Sequence, residues 1–325
     1  MITVLKSISE TKFHRLIFKD EFFENKVGDQ IRIEHTPENM LSFDKLYDEI
    51  NLCSLNKANL KVIDNAIIVT KIDSSLVPED NINKWSFGII TKGTKNDWVE
   101  QQIQSIRGQN IPNYEIIICG TYYDRKEPDI TYIPFTEKDD KGWITAKKNI
   151  ICEHAKYENL CIMHDRVVPL SGWFEGMKKY GNNFEILSCV IKTKEGMRAG
   201  DWISYGDMYP HFSYVGLLEY NDWDKTGCID GGFIVIKKSV WSKTKWNEKL
   251  FLNQSEDAEF SHRLYNAGYV ARFNPYSECV TLNWRHGALP IYSYDEKKLG
   301  VYPNKKFHLK QRIKLFIKKI LYGGA

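Results

Sequence analysis

The sequence contains no apolar run long enough to cross a bilayer. Its longest apolar stretches, such as residues 116–119, have the length of a single strand. The first residues lack the basic region and apolar core of a secretory signal, so no export signal is expected. The seven cysteines are odd in number and form no C-x-x-C pair, which argues against a disulfide framework and a structural zinc site. We expect a reducing, cytoplasmic environment.

Glycine-rich phosphate-binding motifs and a strongly basic body are also missing. No G-x-G-x-x-G opens the first helix after a strand and no G-x-x-x-x-G-K-[ST] occurs, which argues against a dinucleotide dehydrogenase and a P-loop enzyme. The net charge is +3, but residues 301–325 carry seven lysines and arginines and no acid, which leaves 38 basic against 42 acidic side chains elsewhere. An acidic body is not typical of nucleic-acid binding, and we expect no nucleic-acid partner.

Three parts follow one another along the 325 residues. Residues 1–84 mix short strand and helix patterns and are interpreted as a small accessory or oligomerisation segment. Residues 85–300 alternate buried strands with helices, an order that predicts an α/β fold with a mostly parallel sheet and helices on both faces. Residues 301–325 form the basic tail. Ligands of such sheets bind at the carboxyl ends of the strands.

Chemically active side chains follow three of the predicted strands, and we expect them to gather at one edge of the sheet. Thr91 ends the first strand, and Gly120 ends the second. Asp165 follows the third, where a carboxylate is well placed to hold a divalent metal that neutralises a diphosphate. Each position also has a structural explanation, because βα turns usually contain glycine and most surface carboxylates are only solvated.

Later segments add candidates that leave alternatives open. Glu256 and Asp257 lie at a helix start, where they either complement the helix dipole behind Ser255 or supply a general base. A glycine pair ending at Gly232 permits close approach of a ligand or forms a tight turn. His286 is either a structural histidine or a metal ligand. Seven aromatic residues within 200–224 suit sugar stacking or a locally packed loop core.

Taken together, these segments resemble the GT-A-fold glycosyltransferases of the family 2 type. The resemblance covers residues 86 to about 290 and is carried by the segments 86–91, 105–109, 113–118, 146–149, 161–165, 172–176, 231–233, 256–257, 263–264 and 268–269. It implies an α/β, GT-A (Rossmann-like) fold with a mostly parallel sheet flanked by helices. To this we add a small N-terminal α+β extension and a C-terminal amphipathic helix.

The resemblance implies a nucleotide-diphosphate sugar as donor and a glycan or lipid-linked hydroxyl as acceptor. Asp257 matches the catalytic base, with Glu256 beside it, and Asp165 with His286 would hold Mn²⁺ or Mg²⁺. The implied nucleotide-sugar-binding residues are Thr91, Lys92, Gly120, Lys148, Asn149, Arg166 and Gly232. The reaction is then an inverting displacement with Asp257 as general base and the metal on the departing diphosphate. A retaining transferase and a non-catalytic binding or scaffold module on the same fold are the alternatives.

Two positions depart from the pattern of the family. An acidic residue usually follows the second strand, but this sequence has Cys119, Gly120 and Thr121 there. The acidic D-x-D triplet keeps Asp165 but ends on Val167, so Arg166 would partly replace the second ligand by pairing with phosphate.

The basic tail has its own pattern. Residues 304–322 place apolar side chains at helical spacing with lysines on another side, typical of a helix on an anionic membrane surface. A terminal helix docked on the body is the alternative. Membrane docking would place the protein at the inner face of the membrane, as a peripheral enzyme of surface polysaccharide assembly.

Overall fold

A computed structural model describes residues 1–6, 8–36, 41–74, 77, 79–121, 126–136, 141–212, 216–283, 292–293 and 313. The tail pattern over 304–322 and His286 lie outside these residues, apart from position 313. The chain divides into an N-terminal unit (Met1–Pro78, Trp223–Lys225 and Leu264–Val270) and a large unit (Glu79–Asp222, Thr226–Arg263 and Ala271–Ala325). In the described part, no helix combines the length and the apolar character that crossing a bilayer requires.

The N-terminal unit is an α+β arrangement, as the sequence predicts. Its elements are β1 (Ile2–Leu5), a 3₁₀ turn (Ile8–Glu10), α1 (His14–Glu24), β2 (Gln30–Glu34), α2 (Phe43–Cys53), β3 (Ala58–Ile63) and β4 (Ala66–Lys71). The strands pair in the order β1-β2-β4-β3, with β1 and β2 parallel. Alternation in β2 turns Ile31 and Ile33 to one face, where they pack with Phe18 of α1 and Leu46 of α2.

The large unit carries the alternating strands and helices. Its elements are β5 (Lys84–Thr91), α3 (Asn96–Arg107), β6 (Asn113–Gly120), β7 (Ile130–Pro134), α4 (Ile144–His154), β8 (Asn159–His164), β9 (Val167–Pro169), α5 (Trp173–Tyr180), β10 (Ile186–Thr193), β11 (Trp202–Ser204), β12 (Gly216–Leu217), β13 (Gly227–Ile229), β14 (Phe233–Lys237), α6 (Lys238–Thr244), α7 (Glu256–Asn266), β15 (Ala271–Thr281) and β16 (Tyr292–Ser293). The end of α7, from Leu264, belongs to the N-terminal unit.

Eight of these strands form the main sheet, in the order β7-β6-β5-β8-β14-β10-β15-β9. Neighbours from β7 to β8 run parallel, as do β10 and β15, whereas β14 is antiparallel to both of its neighbours. A second sheet has the order β13-β11-β12-β16. The predicted α/β fold with a mostly parallel sheet flanked by helices is confirmed.

Helices cover both faces of the main sheet because side chains alternate along each strand. On one face Phe87 of β5 packs with Ile103 of α3 and Trp173 of α5. On the other face Gly88 leaves room for Ile151 of α4, whose side chain a Cβ at position 88 would strike. The sheet is therefore covered by packed side chains on both faces. A ligand-binding surface is expected at the carboxyl ends of its strands.

All seven cysteines lie among the described residues, and each is a buried thiol. Burial raises the pKa values of Cys152, Cys161 and Cys228 well above that of an exposed thiol. These thiols therefore act as small apolar core groups.

Candidate active site

Three parallel strands end side by side at the edge that the sequence predicts. Thr91 at the end of β5 pairs with Gly120 at the end of β6, and Ile90 pairs with His164 at the end of β8. The Asp165 amide donates to the Ile90 carbonyl at 3.1 Å, which fixes the residue just past the strand. Thr91, Gly120 and Asp165 therefore meet at one edge.

The end of β6 is too crowded for any side chain. Gly120 has φ +139°, and a Cβ there would strike the Thr91 carbonyl oxygen and lie 3.3 Å from Lys147 Nζ. Both the backbone angle and the space require glycine. Position 120 therefore contributes only backbone to the site.

Gly120→Ala is expected to lower the free energy of unfolding by at least ~2 kcal/mol, because a positive φ and a backbone clash act together. Urea denaturation measures the change. Gly196→Ala is the matched control, since Gly196 has φ +80° but no atom within 4 Å of an added Cβ. Equal losses in the two variants would contradict the close approach of β5 and β6.

A cavity of about 230 Å³ opens beside these strand ends. The described residues that line it are Ile90, Thr91, Lys92, Thr94, Lys95, Trp98, Gly142, Ile144, Lys147, His164, Asp165, Arg166, Leu252 and Asn283. Among these described lining residues, three lysines and one arginine accompany a single carboxylate, that of Asp165. A cavity with this charge pattern favours an anionic ligand.

Asp165 is tied into the wall of this cavity. Its Oδ2 accepts a hydrogen bond from Thr91 Oγ1 at 2.9 Å, and Thr91 Oγ1 accepts in turn from the Gly93 amide at 3.0 Å. Burial raises the pKa of the Asp165 carboxyl, against the opposing effects of the Thr91 bond and the charges of Arg166 and Lys147. The carboxylate is thus held in place by its neighbours.

Lys147 brings a fixed positive charge to the same wall. Its side chain is almost fully buried, and Nζ donates to the Thr91 carbonyl at 2.9 Å. The ammonium is 5.5 Å from the centroid of the Phe135 ring. Because both contacts belong to the sheet edge, the charge stays at the cavity.

Asp257 lies at the start of α7, against the glycine pair. A Cβ on Gly231 would be 3.1 Å from Asp257 Cβ and 2.8 Å from Glu256 Oε1, so glycine makes room for both acids. Burial, and next the charge of Glu256, raise the pKa of Asp257 to about 7, although the Ala258 amide at 2.8 Å and Lys148 oppose them. A carboxyl with such a pKa suits general base catalysis near neutral pH.

Lys148 lies beneath this acidic pair. Its fully buried ammonium donates to the Gly231 carbonyl at 2.8 Å and lies 3.4 Å from Glu256 Oε1. The cation therefore fixes the glycine pair and compensates the buried Glu256 charge.

A short series of contacts links Asp257 to the wall of the cavity. The His164 amide donates to the Gly232 carbonyl at 2.9 Å, and a Cβ on Gly232 would be 3.1 Å from Arg166 Nη2. Gly232 adjoins Gly231, which contacts Asp257. The antiparallel direction of β14 makes this possible, because its first residues, not its last, lie at the site edge.

Not every predicted site residue faces the cavity. Thr91, Lys92, Asp165 and Arg166 line it. The Asn149 side chain instead donates to Trp246 O and Glu248 Oε1, each at 2.9 Å, and accepts from Trp241 Nε1 at 3.0 Å. The side-chain amide of Asn149 therefore forms its hydrogen bonds with residues packed against α4.

The aromatic segment 200–224 is packed on itself in its described part. The rings of Tyr205 and Phe212 are buried and stack with centroids 4.2 Å apart, in a cluster with Ala258. Tyr220 stacks on Phe273 at 4.4 Å. Of the two interpretations of this segment, the locally packed core is the one observed for these rings.

Sequence reasoning missed several residues of the site, among them Lys95, which lines the cavity. Lys147 and Trp98 line the cavity, and Asp230 accepts a hydrogen bond from the Gly232 amide at 2.5 Å. Burial raises the pKa of Asp230, and the charge of Arg166 opposes this effect. The available signals were two consecutive lysines in a helix between buried strands and an acid directly before a glycine pair.

The described residues do not offer the ligands that a divalent metal needs. They contain no group of three His, Cys, Asp or Glu side chains that could hold an ion. Asp165 is already bonded to Thr91, and Val167, two positions on, is a buried apolar residue of β9. The prediction of Mn²⁺ or Mg²⁺ rests on the sequence resemblance and on His286, which lies outside the described residues.

No protein-family model matches this chain, and no curated protein has a significantly similar sequence. Among solved structures, GalNAc-T7 with UDP, GalNAc and Mn²⁺ is similar with a TM-score of 0.49 and 11% identity, covering 64% of this chain and 45% of that chain. TarS of S. aureus (residues 1–349), in complex with UDP, is similar with a TM-score of 0.45 and 12% identity, covering 61% of this chain and 60% of that one. This chain thus spans less than two thirds of either protein.

Proposed function

We propose that this protein transfers a sugar from a nucleotide-diphosphate donor to an acceptor hydroxyl, with inversion at the anomeric carbon. One observation carries the proposal: Asp257, with a pKa of about 7, adjoins a cationic cavity at the strand ends through Gly231, Gly232 and Arg166. A base and an anion-binding cavity in one site are what a displacement with a diphosphate leaving group requires.

The donor would place its diphosphate in the cavity. Lys92 and Arg166 line it, and a guanidinium can hold phosphate oxygens with two parallel hydrogen bonds. Trp98 offers an aromatic face in the same cavity, with Lys95 Nζ 4.9 Å from the ring centroid. Glycine at position 232 lets the Asp230 carboxylate and the Arg166 guanidinium approach the backbone, since a Cβ there would be 2.8 Å from Asp230 Oδ1 and 3.1 Å from Arg166 Nη2.

In the proposed reaction the acceptor oxygen attacks the anomeric carbon while the bond from that carbon to the diphosphate oxygen breaks. The electron pair of the broken bond leaves with the nucleoside diphosphate. The acceptor proton passes to Asp257, through Oδ2, because Oδ1 already accepts from the Ala258 amide. A single displacement of this kind inverts the configuration at the anomeric carbon.

The biological setting in this proposal rests on sequence alone. A glycan or lipid-linked acceptor, a role in surface polysaccharide assembly and contact of residues 304–322 with an anionic membrane go together, since a membrane-docked enzyme meets a lipid-carried acceptor directly. The site geometry bears on the donor side and on the proton transfer.

A panel of nucleotide-sugar donors tests the proposed activity. We expect at least one donor to be hydrolysed or transferred, with release of the nucleoside diphosphate followed by a coupled assay. Proton NMR of the product then reports its anomeric configuration. A product with the configuration of the donor would contradict inversion, and donor binding without any turnover across the panel would favour the scaffold alternative.

A further inference from the structure

We propose that Lys147 and Arg166 supply the positive charge that binds the donor diphosphate, so that donor binding needs no divalent metal. This inference rests on the proposed function and deepens it, because it assigns the charge compensation to two side chains of the chain itself. Three observations support it.

The first observation is the loss of acidic ligands. Val167 stands where the pattern of the family has a second acid. It pairs with Thr281 in the sheet, and its carbonyl accepts a hydrogen bond from the Gln102 side chain at 2.7 Å. Its side chain belongs to the main core. An acid could not replace it without burying a charge among apolar groups. Asp165 remains as the one carboxylate among the described residues of the cavity wall.

The second observation is the position of Lys147. Thr91 connects Lys147 to Asp165, because its carbonyl accepts from Lys147 Nζ at 2.9 Å while its hydroxyl donates to Asp165 at 2.9 Å. The ammonium thus lies on the cavity wall next to the carboxylate. A buried charge that is already positioned binds an anion without the entropy cost of ordering a flexible surface lysine.

The third observation is the position of Arg166, where the cavity adjoins the glycine pair. Its guanidinium approaches His164 Nδ1 at 3.4 Å through Nη1 and lies beside Gly232 through Nη2. Arg166 therefore lies at both the cavity, which it lines, and the glycine pair. It is therefore placed where the bond between sugar and diphosphate would break.

The charge balance of the cavity points the same way. Lys92, Lys95, Lys147 and Arg166 line it together with Asp165. A divalent cation entering this wall would meet more positive than negative charge, and like charges repel strongly at short range where water is partly excluded. A diphosphate meets the opposite sign.

Isothermal titration calorimetry of the full chain with UDP and with inorganic pyrophosphate tests the inference, once in EDTA and once in Mn²⁺. We expect the affinities in the two buffers to agree within about threefold. Lys147→Met and Arg166→Met should each weaken binding at least ~10-fold in EDTA, since a hydrogen bond to a charged group is worth more than one factor of ten. Lys178→Met removes a surface lysine paired with Glu175 and should leave binding unchanged.

The outcomes separate this inference from the proposed function. Binding of UDP and pyrophosphate only with Mn²⁺ would overturn the inference and leave a diphosphate site in place. Failure of both to bind in either buffer would contradict the proposed donor site itself. Circular dichroism melting checks that the variants fold. If Lys147→Met does not fold, two other single variants decide. Lys147→Arg keeps the charge and should keep most of the affinity. Unchanged binding in Arg166→Met would contradict the role of Arg166.

Discussion

Asp257→Asn is expected to lower sugar transfer by about 10²- to 10⁴-fold, the usual contribution of a general base. The amide has nearly the shape of the carboxyl but cannot accept the acceptor proton. Binding of the nucleoside diphosphate should stay within about twofold of the unmodified protein, because the cavity residues are untouched. Turnover with a saturating donor and calorimetry with UDP measure the two quantities separately.

Asp64→Asn is the matched control, since Asp64 is exposed in the turn between β3 and β4, in the N-terminal unit. It should leave turnover unchanged. Retained turnover in Asp257→Asn would remove Asp257 from the role of base. A parallel loss of UDP affinity would instead indicate that the substitution disturbs the donor cavity.

The carboxyl of Asp257 is expected to set how turnover and stability depend on pH. With a pKa of about 7, Asp257 is protonated in acid and cannot act as a base, so turnover should fall about tenfold per pH unit below that value. Its folded pKa lies above the ~4 of an unfolded aspartate, so its contribution to stability is greatest below pH ~4 and declines as pH rises to about 7. Asp257→Asn should therefore resist urea better than the unmodified protein at pH 8, and this advantage should shrink at pH 5.

Lys148→Met is expected to lower the free energy of unfolding by about 3–5 kcal/mol, because it leaves the Glu256 carboxylate buried without its cation. It also removes a charge that lowers the pKa of Asp257, so any remaining turnover should have its acid limb at higher pH. Urea denaturation and a pH profile of the rate measure these effects. We expect the loss of stability and the shift of the acid limb even though Lys148 lies behind Glu256 and Asp257 and not on the cavity wall.

A double-mutant cycle separates the ion pair from simple loss of packing. Glu256→Gln combined with Lys148→Met should recover much of the lost stability, because no uncompensated charge remains. The exposed pair of Lys245 and Glu153 at 2.9 Å provides the matched cycle and should give at most ~0.5 kcal/mol of coupling. Additive losses in the buried cycle would contradict coupling between Lys148 and Glu256.

The parts of the fold that the sequence predicts are those with local signals. β5, β6 and β8 are continuous apolar runs, and their observed bounds differ from the predicted ones by only a residue or a few. α1 was not predicted, because it buries Arg15 and Lys19. The Arg15 guanidinium lies 3.5 Å from the Tyr265 ring, a contact 250 positions away that no local periodicity reveals.

The residues of the site also divide into those with a local sequence signal and those without one. The strand-end residues Thr91 and Asp165 could be found, because the end of a parallel strand is a local feature with a known place in the sheet. The partners of Lys148 could not, since Glu256 lies 108 positions away and the direction of β14 decides that they meet. Lys147 was missed for a related reason. Two consecutive lysines in a helix are typical of a solvent-exposed face, and Lys147 is buried only because α4 packs at the edge of the sheet.

The buried thiols have a practical consequence for studying this protein. Because all seven cysteines are shielded in the folded chain, a maleimide dye should react under native conditions with a cysteine introduced at the surface in preference to them. Fluorescent or spin labels can therefore be attached at chosen positions without first replacing the native cysteines. Distances between labelled positions could then be measured on a protein whose core is unaltered.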